Sequence, residues 1–229
     1  MALNADGTVR AVWTDFGGVL TSSNDETTVA FCQRVGLRPD QWLDAVTKVT
    51  RTYGTTDPME PLDTPMVSEL DWARQVEQVL ARDHGVEIDL GDPGEYWFTD
   101  RPVNTEWLQA LRALRAEGVF VGLLSNMVPT WDRHWRRMVP PEGLFEGLVL
   151  SYEVGCRKPS KEIFEVAAGV AQVPPEQCLL VDDLARNCAG AEGAGWRAVE
   201  FTTAAEAIPQ VAALTGIKLG TADVVEEES

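Results

Sequence analysis

Apolar positions along the chain follow two regimes. From about residue 104 onward, short apolar runs alternate with stretches of helical spacing, and a run of the same kind opens the chain at Ala11, Val12 and Trp13. Runs at 11–13, 119–124, 148–150, 178–181 and 196–201 predict strands in the interior of a sheet. Between them the spacing predicts helices: one from Asn104 or Thr105 to Gly118, then 130–138, 160–172 and 185–194. A last helix begins at Thr203, which with Glu206 matches the capping box. Strands alternating with helices point to an α/β fold with a parallel sheet.

Residues 21–103 lack strong strand runs. Helices are predicted over 25–35, 39–49 and 66–83, the last with Leu70, Ala73, Val76 and Leu80 near one face. The breaker-rich stretch 53–65 reads as a loop, and 89–102 is interrupted by Gly91, Pro93, Gly94 and Pro102. The expected organisation is a sheet domain from 1–20 and 104–220, a helical cap from 21–103 with Arg101-Pro102 near the return, and a solvated acidic tail over 221–229.

Charge narrows the function classes. The net charge of −17 argues against nucleic acid or an anionic membrane surface as partner. Residues 21–103 alone carry 16 acidic and 7 basic side chains. No apolar stretch approaches the roughly 20 residues that span a bilayer, so a soluble, cytoplasmic protein is expected. Cys32, Cys156, Cys178 and Cys188 form no CxxC pair and read as reduced residues in or near the core.

The polar residues that carry chemistry stand where the predicted strands end. Asp15 closes the first run and precedes Gly17-Gly18, which let the backbone turn sharply and approach a ligand. Ser125-Asn126, Lys158 and Asp182-Asp183 occupy later ends or the loops beyond them. Taken singly, these are a turn cap, a plain turn, a surface lysine and a helix cap. Taken together on one sheet edge, three carboxylates would repel unless a hard cation sat among them, which predicts an oxygen-lined Mg²⁺ site. A hydroxyl, an amide and a lysine beside it make a pocket suited to a phosphoryl group.

In this order, Asp15-Phe16-Gly17-Gly18-Val19, Leu124-Ser125-Asn126, Arg157-Lys158-Pro159 and Val181-Asp182-Asp183 resemble the four motifs of the haloacid dehalogenase superfamily, and the likeness runs from about 9 to 201. The helical insert is similar to the cap of subfamily I. The combination of Asp-x-Gly with Asp182-Asp183-Leu184-Ala185-Arg186-Asn187 is closest in kind to α-glucose-1-phosphatase-like members and relatives of the soluble epoxide hydrolase N-terminal domain. The resemblance implies a Rossmann-like core and a Mg²⁺-dependent phosphatase acting on a small phosphorylated metabolite. It implies that Asp15 attacks phosphorus and forms an aspartyl-phosphate. Asp15, the Gly17 carbonyl, Asp182 and Asp183 would hold the metal. Ser125, Gly18 and the backbone at Asn126 would hold the phosphoryl group, and Lys158 would neutralise charge. Asn187 is either a site residue or a structural cap.

One departure stands out. Most phosphatases of the superfamily carry a second aspartate two residues after the nucleophile, to protonate the leaving group, and here that position is Gly17. General acid–base catalysis contributes about 10²- to 10⁴-fold. A substrate with a good leaving group, such as an anomeric or acyl phosphate, would need less of it. Otherwise the cap supplies the acid, with His84, Asp25, Glu26 and Glu60 as candidates by type. His134 reads as a packed helix residue. Trp42, Tyr53, Trp72, Tyr96 and Trp97 form the core of the cap or line a cavity beneath it. Trp131 and Trp135 either pack inside or form a contact between copies in a homodimer. Two other readings remain open: a binding protein whose chemistry has faded, and a metal-free 2-haloacid dehalogenase, against which the pair Asp182-Asp183 argues.

Overall fold

The computed structural model describes residues 8–219. Five strands, β1 (Ala11–Thr14), β2 (Phe120–Ser125), β3 (Gly147–Leu150), β4 (Cys178–Asp182) and β5 (Arg197–Glu200), form one parallel sheet in the order β3-β2-β1-β4-β5. This is the expected Rossmann-like α/β architecture. Neighbouring residues on a strand face opposite ways, so each strand feeds two apolar layers. Val12, Leu179 and Val181 enter one; Trp13, Cys178 and Leu180 enter the other. Helices cover both layers, which is why the strands are apolar throughout and show no alternation. The fully buried Trp13 ring lies over Gly122, where an added Cβ would sit 2.4 Å from it.

The chain leaves the central β1 toward β2 and β3, then crosses back to β4 and β5. At such a reversal the crevice beyond the C-terminal strand ends is open to a ligand. Asp15 follows β1, and Ser125 and Asp182 are the last residues of β2 and β4.

Between β1 and β2 run α1 (Asn24–Val35), α2 (Pro39–Thr52), α3 (Glu60–Asp63), α4 (Glu69–His84), α5 (Pro93–Phe98) and α6 (Thr105–Ala116). Two of these, α3 and α5, fall in stretches that the breakers mark as loop. Their prolines occupy the first turn, where the missing N–H would have no partner in any case. Helix α4 starts three residues later than expected because the Ser68 side chain caps it, accepting from Asp71 N at 3.1 Å. Where the chain returns, Thr21 pairs with Val103, and Asn104 donates from its backbone N to Leu20 O (2.8 Å) and from Nδ2 to Val19 O (3.1 Å).

The remaining helices are α7 (Asp132–Met138), α8 (Ser151–Val154), α9 (Lys161–Ala171), α10 (Ala185–Gly193) and α11 (Ala204–Thr215). The expected 130–138 helix is split: a 3₁₀ turn, Pro129–Trp131, precedes α7. At α11 only half of the predicted box forms. Thr203 Oγ1 accepts from Glu206 N at 3.3 Å, while the Glu206 carboxylate takes the Thr202 hydroxyl. Trp135 is fully buried, whereas Trp131 is half-buried and stacks on Trp97 at 5.6 Å. No helix among the described residues is long and apolar enough to cross a membrane. The acidic stretch 221–229 lies outside the described residues.

Candidate active site

Lys158 is the pivot of the site. It is 1% exposed, and its Nζ donates to Asp15 Oδ1 at 2.7 Å and to Asp182 Oδ2 at 2.5 Å. Burial works against the ammonium, but the two carboxylates outweigh it and hold its pKa above the ordinary value. The lysine backbone is fixed by Asn126, whose Oδ1 accepts from Lys158 N (2.8 Å) while Nδ2 donates to Lys158 O (3.0 Å). The Asn126 side chain therefore joins two motifs. Asp182 Oδ1 accepts from Leu184 N (3.0 Å) and Asn187 Nδ2 (2.9 Å). Asn187 thus orients Asp182 from α10, with its own Oδ1 buried and unpartnered.

Asp183 completes a trio. Carboxylate oxygens of Asp15, Asp182 and Asp183 lie within 4.8 Å of one another. Burial first, then the charges of Asp15 and Asp182, push the Asp183 carboxyl up to about 7. This is excess negative charge on hard oxygen donors, and it suits a metal ion. Gly18 is obligatory beside it: its φ is +78°, and a Cβ would lie 2.0 Å from Asp183 Oδ2. Ser125 is buried at the end of β2.

A cavity of about 320 Å³ opens from these residues toward α1, α2, α4 and α5. Its far wall is mostly apolar and includes Phe31, Trp42, Met59, Trp72, Trp97 and Trp131. Tyr53 and Tyr96 lie outside it. Of the carboxylates expected as acids, Asp25 lines this cavity and Glu26 lines a separate one. His84 is remote, its Nε2 2.8 Å from Asp44 Oδ2, and Glu60 takes the Thr55 hydroxyl. His134 is packed as expected, stacked on Phe98 at 5.5 Å.

Asp57, Asp63 and Arg101 escape local spacing. Arg157, next to Lys158, donates to Asp57 Oδ2 (3.0 Å from both terminal nitrogens) and to Asp63 Oδ2 (2.9 Å), and Arg186 Nη2 donates to Asp57 Oδ2 at 2.9 Å. These bonds tie the α3 region to the sheet edge. Arg157 stands in the third motif and is visible in the sequence, but Asp57 and Asp63 sit in a stretch that shows only breakers. Arg101 stands beside Pro102 in the interrupted stretch 89–102.

The model of the haloacid dehalogenase-like hydrolases matches residues 9–195. The chain belongs to that family. This haloacid dehalogenase-like hydrolase is 27% identical over 189 residues to a D-ribitol-5-phosphate phosphatase of Bacteroides thetaiotaomicron, covering 78% of this chain and 85% of that one. It is 29% identical over 107 residues to a sesquiterpene phosphatase of Aspergillus oryzae, covering 46% of this chain and 54% of that one. Its fold is similar to that of a haloacid dehalogenase family enzyme of Bacteroides thetaiotaomicron solved with magnesium and inorganic phosphate, with TM-score 0.63, 20% identity, and 85% and 94% of the two chains covered. An L-2-haloacid dehalogenase of Xanthobacter autotrophicus shares it too, with TM-score 0.59, 15% identity, and 83% and 76% covered. The four motifs of this family member stand at one edge of its sheet, with Asp15, Lys158 and Asp182 in direct contact.

Proposed function

We propose that this hydrolase is a phosphatase that cleaves a small phosphorylated substrate through an aspartyl-phosphate on Asp15. The observation that carries the reading is the buried Lys158 ammonium bridging Asp15 and Asp182 beside Asp183. The names of the two curated relatives support it, as does the magnesium and phosphate complex of the structural relative.

Asp15 attacks phosphorus with one carboxylate oxygen. The bond from phosphorus to the leaving oxygen breaks with its electron pair on that oxygen, and water then attacks phosphorus and frees the Asp15 carboxylate. Lys158 balances charge on Asp15 throughout. The Ser125 hydroxyl and the backbone at Asn126 and Gly18 hold the phosphoryl oxygens, while Asn187 and Leu184 N keep Asp182 in place. The carboxylates of Asp15, Asp182 and Asp183, with the Gly17 carbonyl, are the groups that would hold Mg²⁺. When bound, the ion draws charge from the phosphoryl oxygens. Segment 21–103 acts as a cap over the core that the other described residues form, and its aromatic wall receives the organic part of the substrate.

The test is phosphate release from sugar 1-phosphates, acyl phosphates and alkyl phosphates, with Mg²⁺ and with chelator. Release that stops on chelation is expected. Binding of phosphate without turnover of any substrate would favour a faded site on the same scaffold.

The carboxylate trio makes a second prediction. Asp183 has its pKa at about 7 in the fold, against about 3.9 in an unfolded chain. The folded state therefore binds the extra proton in that window, and metal-free stability falls as pH rises through it. A cation on the trio cancels this loss. The melting temperature of chelated protein should drop by several degrees between about pH 5 and about pH 8, and Mg²⁺ should raise it more at the higher pH. An equal gain at both pH values would contradict a metal on these carboxylates.

A further inference from the structure

One buried charge has no part in the chemistry above. Arg101, between α5 and α6, is 8% exposed. Its one side-chain hydrogen bond runs from Nη2 to Ser22 O at 2.8 Å, and its Nε is buried without a partner. No carboxylate oxygen among the described residues lies within 4.0 Å of the guanidinium. It rests instead near three rings, Phe16, Trp97 and Phe98, at 5.9, 5.9 and 5.7 Å from their centroids. Burial draws its pKa down to about 10, with Asp15 and Asp183 opposing that shift. The two carboxylates are near enough to act on the guanidinium and too far to pair with it. A guanidinium withdrawn from water in this way is costly without a counter-charge.

Its position says what the counter-charge belongs to. Arg101 lines the cavity that holds Asp15, Gly17 and Lys158. A Cβ built on Gly17 would lie 3.4 Å from Arg101 Nη2 and 3.3 Å from Asn24 Oδ1. The guanidinium therefore borders, together with Asn24, the space into which a side chain at 17 would project.

We infer that Arg101 is the subsite for the departing oxygen, and that the substrate is a phosphate anhydride whose leaving group, a carboxylate or a phosphate, departs as an anion. The inference rests on the phosphatase reading. Asp15 forms its bond to phosphorus, the anhydride P–O bond breaks, and the electron pair stays on the leaving oxygen. Arg101 balances that charge and no proton is transferred, so glycine at 17 costs the reaction nothing. Arginine keeps its proton, and its contribution is electrostatic.

The experiment compares acetyl phosphate, an alkyl diphosphate and the corresponding alkyl monophosphate as substrates for the Mg²⁺-loaded wild type, Arg101→Met and Arg101→Lys. Wild type should turn over the anhydrides with kcat/KM at least about 100-fold above the monophosphate. Arg101→Met should lose about 10²- to 10³-fold on the anhydrides, free guanidinium should restore part of that loss, and Arg101→Lys should fall between. Equal wild-type rates on monophosphate and anhydrides would overturn the inference. So would Arg101→Met within about threefold of wild type, or a loss that guanidinium leaves untouched. If Arg101→Met does not fold, Arg101→Lys against wild type on the anhydrides decides, and a rate within about threefold of wild type overturns the inference. Phosphate release from the monophosphate only would overturn this subsite and keep the phosphatase, whereas no release from any of the three would remove both.

Discussion

Asp15→Asn should abolish phosphate release, by at least about 10⁴-fold in kcat, with the fold intact. The amide is nearly isosteric with the carboxylate and keeps an oxygen that can accept from Lys158 Nζ, which lies 2.7 Å from Asp15 Oδ1. What it lacks is the charge and the nucleophilic oxygen that form the bond to phosphorus. Removing one of three carboxylates whose oxygens lie within 4.8 Å also relieves repulsion in the metal-free protein. The variant should therefore melt no lower than wild type at about pH 8 in chelator. An inactive variant that melts far below wild type would mean that Asp15 holds the fold and that its loss says nothing about chemistry. A variant that retains activity would remove Asp15 as nucleophile.

Lys158→Met should lose both activity and stability. The methionine fills a similar volume, but Asp15 and Asp182 then face each other in a buried site with no cation between them. Breaking a buried pair by deleting one partner costs about 3–5 kcal/mol. The loss should be smaller at about pH 5 than at about pH 8, because the stranded carboxylates can take up protons at the lower pH. Activity should fall at least about 10³-fold, since the charge that balances Asp15 during attack is gone. Urea unfolding at the two pH values, beside phosphate release, measures each part. A destabilisation below about 1 kcal/mol would show that the ammonium contributes little to holding the carboxylates.

The sheet and the polar residues at its edge are legible because both rest on local pattern. A strand covered on both faces is apolar along its whole length, so the polar residue at its end stands out, as Asp15 does after Ala11, Val12 and Trp13 and Asp182 does after Leu180 and Val181. The helical insert was legible only in outline. Helices α3 and α5 carry in their first turns prolines that read as breakers, and each buries apolar residues, Leu62 in one and Trp97 and Phe98 in the other. The same holds for the tryptophans. Spacing predicts one helix for Trp131 and Trp135, but only the fold shows that Trp135 is buried in the core while the half-buried Trp131 stacks on Trp97.

What stayed hidden is what depends on distant segments meeting. Arg157 and Asp57 are separated by 100 residues, and Arg101 and Ser22 by 79. No periodicity links them. Arg101 reads in the sequence as a residue beside Pro102 at the end of the insert, and its burial above Gly17 emerges only once Thr21 and Val103 are paired. Asn187 was half legible, since its place after Asp182-Asp183 marked it for a cap or a site role. In the fold it holds Asp182 from behind at 2.9 Å.

The central claim is that Asp15 carries the phosphoryl group during turnover. The most direct measurement is to mix the Mg²⁺-loaded protein with acetyl phosphate, quench in acid within the first turnover, and map any covalent phosphate by peptide mass. The account predicts an acid-stable, base-labile phosphate on the peptide that contains Asp15, absent from Asp15→Asn. Turnover of the substrate with no phosphate on that peptide at any quench time would contradict it.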